Sequence, residues 1–89
     1  MMATLPPAIF LLGPTASGKT LQPGMVAMSS HWPFGTLIEI NGVVYTVEDR
    51  GGSDIEGDIT RVDIFVLDHQ EALRRGRFWT DAKIYRIGR

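Results

Sequence analysis

Apolar residues in this chain come in short runs, separated by glycines, prolines and polar turns. Runs of that length, rich in β-branched and aromatic residues and bounded by turn formers, are the pattern of strands. Residues 8–12 (AIFLL), 25–29 (MVAMS), 36–40 (TLIEI), 43–48 (VVYTVE), 61–67 (RVDIFVL) and 81–87 (DAKIYRI) fit it. The sharpest junction is Asn41-Gly42, between two of these runs. Asn-Gly in that setting predicts a two-residue hairpin turn of type I′. In 61–67, alternation puts Val62, Ile64 and Val66 on one face and Asp63, Phe65 and Leu67 on the other. Residues 49–60 read as a polar glycine loop. One short helix is predicted over 68–76. Asp68 is its N-cap, Glu71 closes a capping box, Arg74 and Arg75 face the C-terminal dipole, and Gly76 stops it. Six short strands with one helix predict an all-β fold, a small six-stranded barrel, in a single domain over residues 1–89.

Composition narrows the function classes. At 89 residues the chain is one small domain, short for a nucleotide-hydrolysing sheet with helices on both faces, which needs roughly 150 residues. It has no cysteine, which excludes disulfides, thiolate metal sites and a cysteine nucleophile. The formal net charge is −1, so no overall field favours nucleic acid or an acidic membrane surface, and neither is expected as a partner. The apolar run at 8–12 is far too short to span a bilayer. The opening MMATLPP lacks the positive charge of a secretory leader.

One stretch carries an explicit chemical pattern. Residues 13–20, GPTASGKT, fit the phosphate-binding loop G-x-x-x-x-G-K-[ST]. Lys19 would neutralise phosphate oxygens and Thr20 would hold Mg²⁺. Such a loop needs a helix directly after it, because the helix N-terminus supplies dipole and donors. Here LQPG follows, and Pro23 and Gly24 both oppose a helix. IFVLD (64–68) resembles the apolar strand ending in a magnesium-holding aspartate, a pattern an ordinary strand and N-cap also give. LPPAIFLLGPTASGKT (5–20) is similar to the N-terminus of bacterial tRNA dimethylallyltransferases. The parts of that family that bind tRNA and transfer the prenyl group have no room here.

From about Thr15 onward the chain resembles a second family, the 3D (three-aspartate) domains. The matching stretches are TASGKTLQPGMVAMS (15–29), PFGTLIEINGVVYTVED (33–49), RGG (50–52), RVDIFVLDHQEAL (61–73) and GR (76–77). This resemblance implies a double-psi β-barrel related to lytic transglycosylases and cell-wall remodelling factors. The implied partner is the glycan strand of peptidoglycan, the implied place the cell envelope, and no cofactor or metal is called for. Asp49 matches the family's first aspartate and Asp63 the second. Asp68 is the nearest candidate for the third, displaced by one position. The loop between Asp49 and Asp63 is a few residues longer than usual. Arg50 stands where the family commonly has threonine, and an arginine there favours a charged neighbouring carboxylate over a proton donor. Two resemblances in one chain also admit a folded but inactive chimera, with residues 1–20 supplying the first strand.

The chemistry the aspartates could do is acid–base cleavage of a glycosidic bond. A carboxyl held partly out of water can donate a proton to the leaving oxygen near neutrality. In a lytic transglycosylase the sugar's own 6-hydroxyl attacks, so one acid that then acts as base can suffice, unlike the two-carboxylate glycosidases. Each residue also has a plainer role. Asp49 is a turn aspartate, Asp63 an ion-pair partner for Arg61, Asp68 a helix cap, and His69 a surface residue. Trp32 and Phe34 are turn plugs or sugar-stacking rings, Trp79 a barrel-closing aromatic, and RRGR (74–77) a solvated helix end.

Overall fold

The computed structural model describes residues 1–4, 14–66 and 76–89. Strands dominate it: β1 (Met2–Thr4), β2 (Met25–Ala27), β3 (Leu37–Ile40), β4 (Val43–Asp49), β5 (Arg61–Ile64), β6 (Arg77–Trp79) and β7 (Ala82–Arg86). One helical turn, α1 (Ser53–Glu56), joins them. The all-β expectation therefore holds. The strands form one sheet in the order β6-β1-β5-β2-β4-β3-β7. β1 with β5 and β2 with β4 are parallel pairs, and the remaining pairs are antiparallel. β6 and β7 stand at opposite ends of that order, yet only Thr80 and Asp81 separate them in the chain. So short a link joins the two ends only if the sheet curls back on itself. Thr80 marks the join. Its N–H donates to Met1 O at 2.9 Å, and its hydroxyl donates to Asn41 Oδ1 at 3.1 Å, in the β3–β4 turn.

The inside of the curl is the core. Ala3, Val26, Met28, Ile38, Ile40, Val47, Val62 and Ile64 form one buried cluster, with Phe78, Ala82 and Ile84 packed against it. Each described strand thus supplies at least one inward side chain. The hairpin is as expected. Ile40 pairs with Val43, and Asn41 and Gly42 have φ of 51° and 82°, the positive values a type I′ turn demands.

Several details differ from the sequence reading. Among the described residues there are seven strands, and β1 and β6 are additional. Each is three residues long, too short to display period-two alternation, and each owes its place to pairing across the sheet. Of the strand expected over 61–67, β5 takes Arg61–Ile64, and Phe65 N–H still donates to Met25 O of β2 at 3.2 Å. The glycine loop 49–60 contains α1, whose Ile55 is buried. Trp79 closes nothing: it is 72% exposed, because Phe78 takes the inward position and the next residue of a strand faces out. The strand expected over 8–12, Leu67 and residues 68–75 of the expected helix lie outside the described residues, and Gly76, the expected stop, has φ of 55°.

Candidate functional site

Asp63 and Asp49 come from strands separated by one neighbour. Ala27 of β2 is paired with Asp63 of β5 on one side and with Asp49 of β4 on the other. Residues opposite one another in a sheet share a face. For Asp63 the face follows from alternation, since Val62 and Ile64 occupy the core. For Asp49 it does not. Val47 is in the core, so an unbroken strand would return Asp49 to the core side too. The register between β2 and β4 shifts after Val26, which pairs with Val47, while Ala27 pairs with Asp49. Glu48 is therefore the extra residue of a β-bulge, and the bulge re-aims Asp49 to the face of Ala27 and Asp63. Two strand spacings put the two backbones about 10 Å apart. Both aspartates line one cavity of about 190 Å³, with Leu21, Met25, Val26, Ala27, Ile64 and Phe65 as the other walls. Asp63 and Phe65 on a common face is the alternation expected of 61–67. Asp68, the third candidate, lies outside the described residues, as does His69.

Asp49 is held by backbone. Its Oδ1 accepts the N–H of Ala16 and the N–H of Arg50, each at 2.9 Å. The Arg50 guanidinium behaves differently from expectation. It sits 3.9 Å over the Phe34 ring and reaches only the main-chain oxygen of Asp49, at 3.4 Å. Phe34 is thereby occupied by Arg50 rather than left open for a sugar. Trp32 is a plug: it packs on the core, and its Nε1 donates to Ile59 O at 2.8 Å. Arg61 gives its guanidinium to Asp54 of α1 at 3.2 Å.

The turn that supplies Ala16 is the stretch with the phosphate-loop pattern. Pro14 bridges to Thr20, and Gly18 has φ of 91°. Four successive backbone donors, those of residues 15–18, are spent within the protein. Thr15 N–H goes to Lys19 O, Ala16 to Asp49, Ser17 to Glu48 O, and Gly18 to Thr15 O. A phosphate cradle needs such N–H groups pointing outward together. No helix follows Lys19: residues 21 and 22 are irregular, and Pro23 and Gly24 make a turn before β2. Gly13 lies outside the described residues.

Lys19 is committed as well. Its Nζ is 3.3 Å from Glu48 Oε2. Glu48 is 1% exposed and also receives Arg89, through Nη1 at 2.9 Å and Nη2 at 2.5 Å. Hydrogen bonds from Arg89 hold its carboxyl at about 2, against an ordinary 4.5. Ser17 and Lys19 push the same way, and burial opposes them. Sequence reasoning missed Glu48. In VVYTVED it falls on the polar beat of the alternation, and nothing local marks an acidic residue whose partners lie far off in the chain. Among the described residues no three of His, Asp or Glu gather where they could hold a metal ion.

No protein-family model matches the chain, and no solved structure matches it. A stretch of 47 residues is 47% identical to tRNA dimethylallyltransferase of Thiobacillus denitrificans, covering 53% of this chain. The chain spans about 14% of the length of that curated relative.

Proposed function

We propose that this chain is a double-psi β-barrel that binds peptidoglycan glycan strands and cleaves them by lytic transglycosylase-type chemistry. One observation carries the reading: Asp49 and Asp63 flank Ala27 on one face and line the same apolar-walled cavity. The barrel topology is supported by two parallel strand pairs within one curled sheet. It is supported also by β6 and β7 acting as a single bent strand that pairs at both ends of the sheet order. Counted that way, the described residues hold six strands, though not the six expected, since 8–12 lies outside them.

Asp63, on a paired strand among Ala27, Ile64 and Phe65, takes the part of acid and then base. It delivers its proton to the glycosidic oxygen as the bond from the anomeric carbon breaks. The 6-hydroxyl of the same sugar closes on the anomeric carbon and returns its proton to Asp63. No water is consumed, and a 1,6-anhydro end is formed. Asp49 supplies negative charge beside the developing oxocarbenium ion. At about 190 Å³ the cavity is below the ~300–1,000 Å³ of drug-sized ligand sites, so it seats one ring while the polymer runs across its mouth.

The test is release of 1,6-anhydro muropeptides from purified sacculi. Asp63→Asn is isosteric and should keep the melting curve while abolishing release. Full activity in Asp63→Asn overturns the mechanism, and no activity in the unaltered chain favours the inactive chimera. The similarity to tRNA dimethylallyltransferase over 47 residues supports a second reading, nucleotide binding through residues 13–20. Micromolar affinity for ATP with Mg²⁺, lost in Lys19→Ala, would favour that reading.

A further inference from the structure

The carboxylate of Asp49 does not orient itself. One of its two donors, Arg50 N–H, belongs to the adjacent residue and comes with the strand. The other, Ala16 N–H, arrives from a turn far away in the chain. That turn is fastened to β4 at the neighbouring position. Ser17 N–H donates to Glu48 O at 3.0 Å, and Lys19 Nζ lies 3.3 Å from Glu48 Oε2. Within the turn, Thr15 N–H donates to Lys19 O at 2.7 Å, so the lysine's position sets that of residues 15 and 16. The Thr15 and Ser17 hydroxyls are 3.0 Å apart and stiffen it further. Glu48 itself cannot drift, being buried and gripped by Arg89.

We propose that Lys19 and Glu48 are positioning residues for Asp49. Their ion pair fastens the 14–20 turn so that Ala16 N–H stays on Oδ1, and Oδ2 is the oxygen left to the reaction. The bulge decides which of two adjacent residues takes which place: Glu48 meets the ion pairs and Asp49 the cavity. The role in catalysis rests on the glycan-cleavage reading, whereas the orientation of Asp49 rests on geometry alone.

Lys19 is the variant of choice, because its side chain is 52% exposed and its loss leaves the core intact. The experiment uses ¹⁵N-labelled chain as wild type, Lys19→Ala and Lys19→Arg. The Ala16 and Arg50 amides both donate to the same oxygen. In wild type both should be protected from hydrogen exchange. In Lys19→Ala the Ala16 amide should lose its protection while Arg50 keeps it, and Lys19→Arg should restore it. A change confined to overall stability would move both together. On soluble glycan strands, kcat in Lys19→Ala should fall about tenfold with KM within about twofold, as expected for a misplaced group, and Lys19→Arg should recover most of it. An Ala16 amide that stays as protected as Arg50 in Lys19→Ala overturns the positioning role. So does an unchanged kcat where the wild type is active. If the wild type releases no anhydro product, the glycan reading fails and the amide exchange alone decides the positioning.

Discussion

Replacing Glu48 by glutamine should remove a defined, acid-sensitive part of the stability. The folded carboxyl binds its proton at about 2 and the ordinary one at 4.5, a difference of roughly 2.5. At ~1.36 kcal/mol for each unit this is about 3 kcal/mol. The folded-state value is depressed, so the contribution is present in full above about pH 4.5. It falls as the unfolded chain takes up the proton first, leaving less than about half by pH 3 and little at pH 2. Glutamine keeps the shape but carries no charge at any pH. The half-exposed Lys19 and Arg89 can turn to water, so no cation is stranded in the core. Glu48→Gln should therefore be about 3 kcal/mol less stable than wild type at pH 6, with the gap closing toward zero at pH 2. Glu56 and Asp58 are also held below the ordinary range, by hydrogen bonds from Ser30 and Thr60. They are common to both proteins and cancel in the difference. The assay is urea unfolding at pH 6, 4, 3 and 2, followed by tryptophan fluorescence with linear extrapolation. A gap that stays constant with pH, or equal stability at pH 6, would refute the linkage.

Two further substitutions test the backbone. Gly42→Val should lower stability by at least about 1–2 kcal/mol, since φ is 82° there and no neighbour lies within 4 Å to add a clash. Gly42→Asn should cost much less, and equal melting temperatures for valine and wild type would rule out the type I′ turn. Gly51→Ala should cost ~1–3 kcal/mol, because a methyl group would stand 2.6 Å from Ile55 Cβ. Pairing it with Ile55→Ala should give less than the sum of the single losses, and strict additivity in the double-mutant cycle would show that the two do not meet.

The parts of the fold legible in the sequence were those that local pattern decides. Asn41-Gly42 states its own turn, and alternation in 61–67 separates Val62 and Ile64 from Asp63 and Phe65. β1 and β6 were not legible, because three residues cannot show a period and their pairing partners are distant. α1 was hidden in a run of glycines and acids, where one buried residue, Ile55, is the whole apolar signal. In the site, Asp63 could be placed by alternation. Asp49 could be singled out only by resemblance, for its face depends on a bulge, and a bulge is a relation between two strands. Arg50 shows the same limit. Its neighbour in sequence suggested a charge contact with Asp49, but Phe34 sits across the fold and takes the guanidinium.

GPTASGKT illustrates how far a motif depends on what surrounds it. Phosphate binding by such a segment needs free N–H groups, a helix behind them and a lysine with no other anion to serve. The residue after Thr20 begins a path to Pro23 and Gly24, so the helix is missing and the turn folds on itself. The N–H groups of residues 15–18 then find acceptors in Lys19 O, Glu48 O, Thr15 O and the carboxylate of Asp49. The lysine likewise meets Glu48. Withdrawing it for a phosphate would leave a buried carboxylate with Arg89 as its one remaining cation among the described residues, and stripping partners from a buried charge is costly. The stretch thus has two self-consistent uses that exclude each other. In one the donors point outward to a ligand. In the other the donors of residues 15–18 point inward, and one of them holds an aspartate. The proline and glycine that follow, rather than the motif itself, withhold the helix that the first use needs.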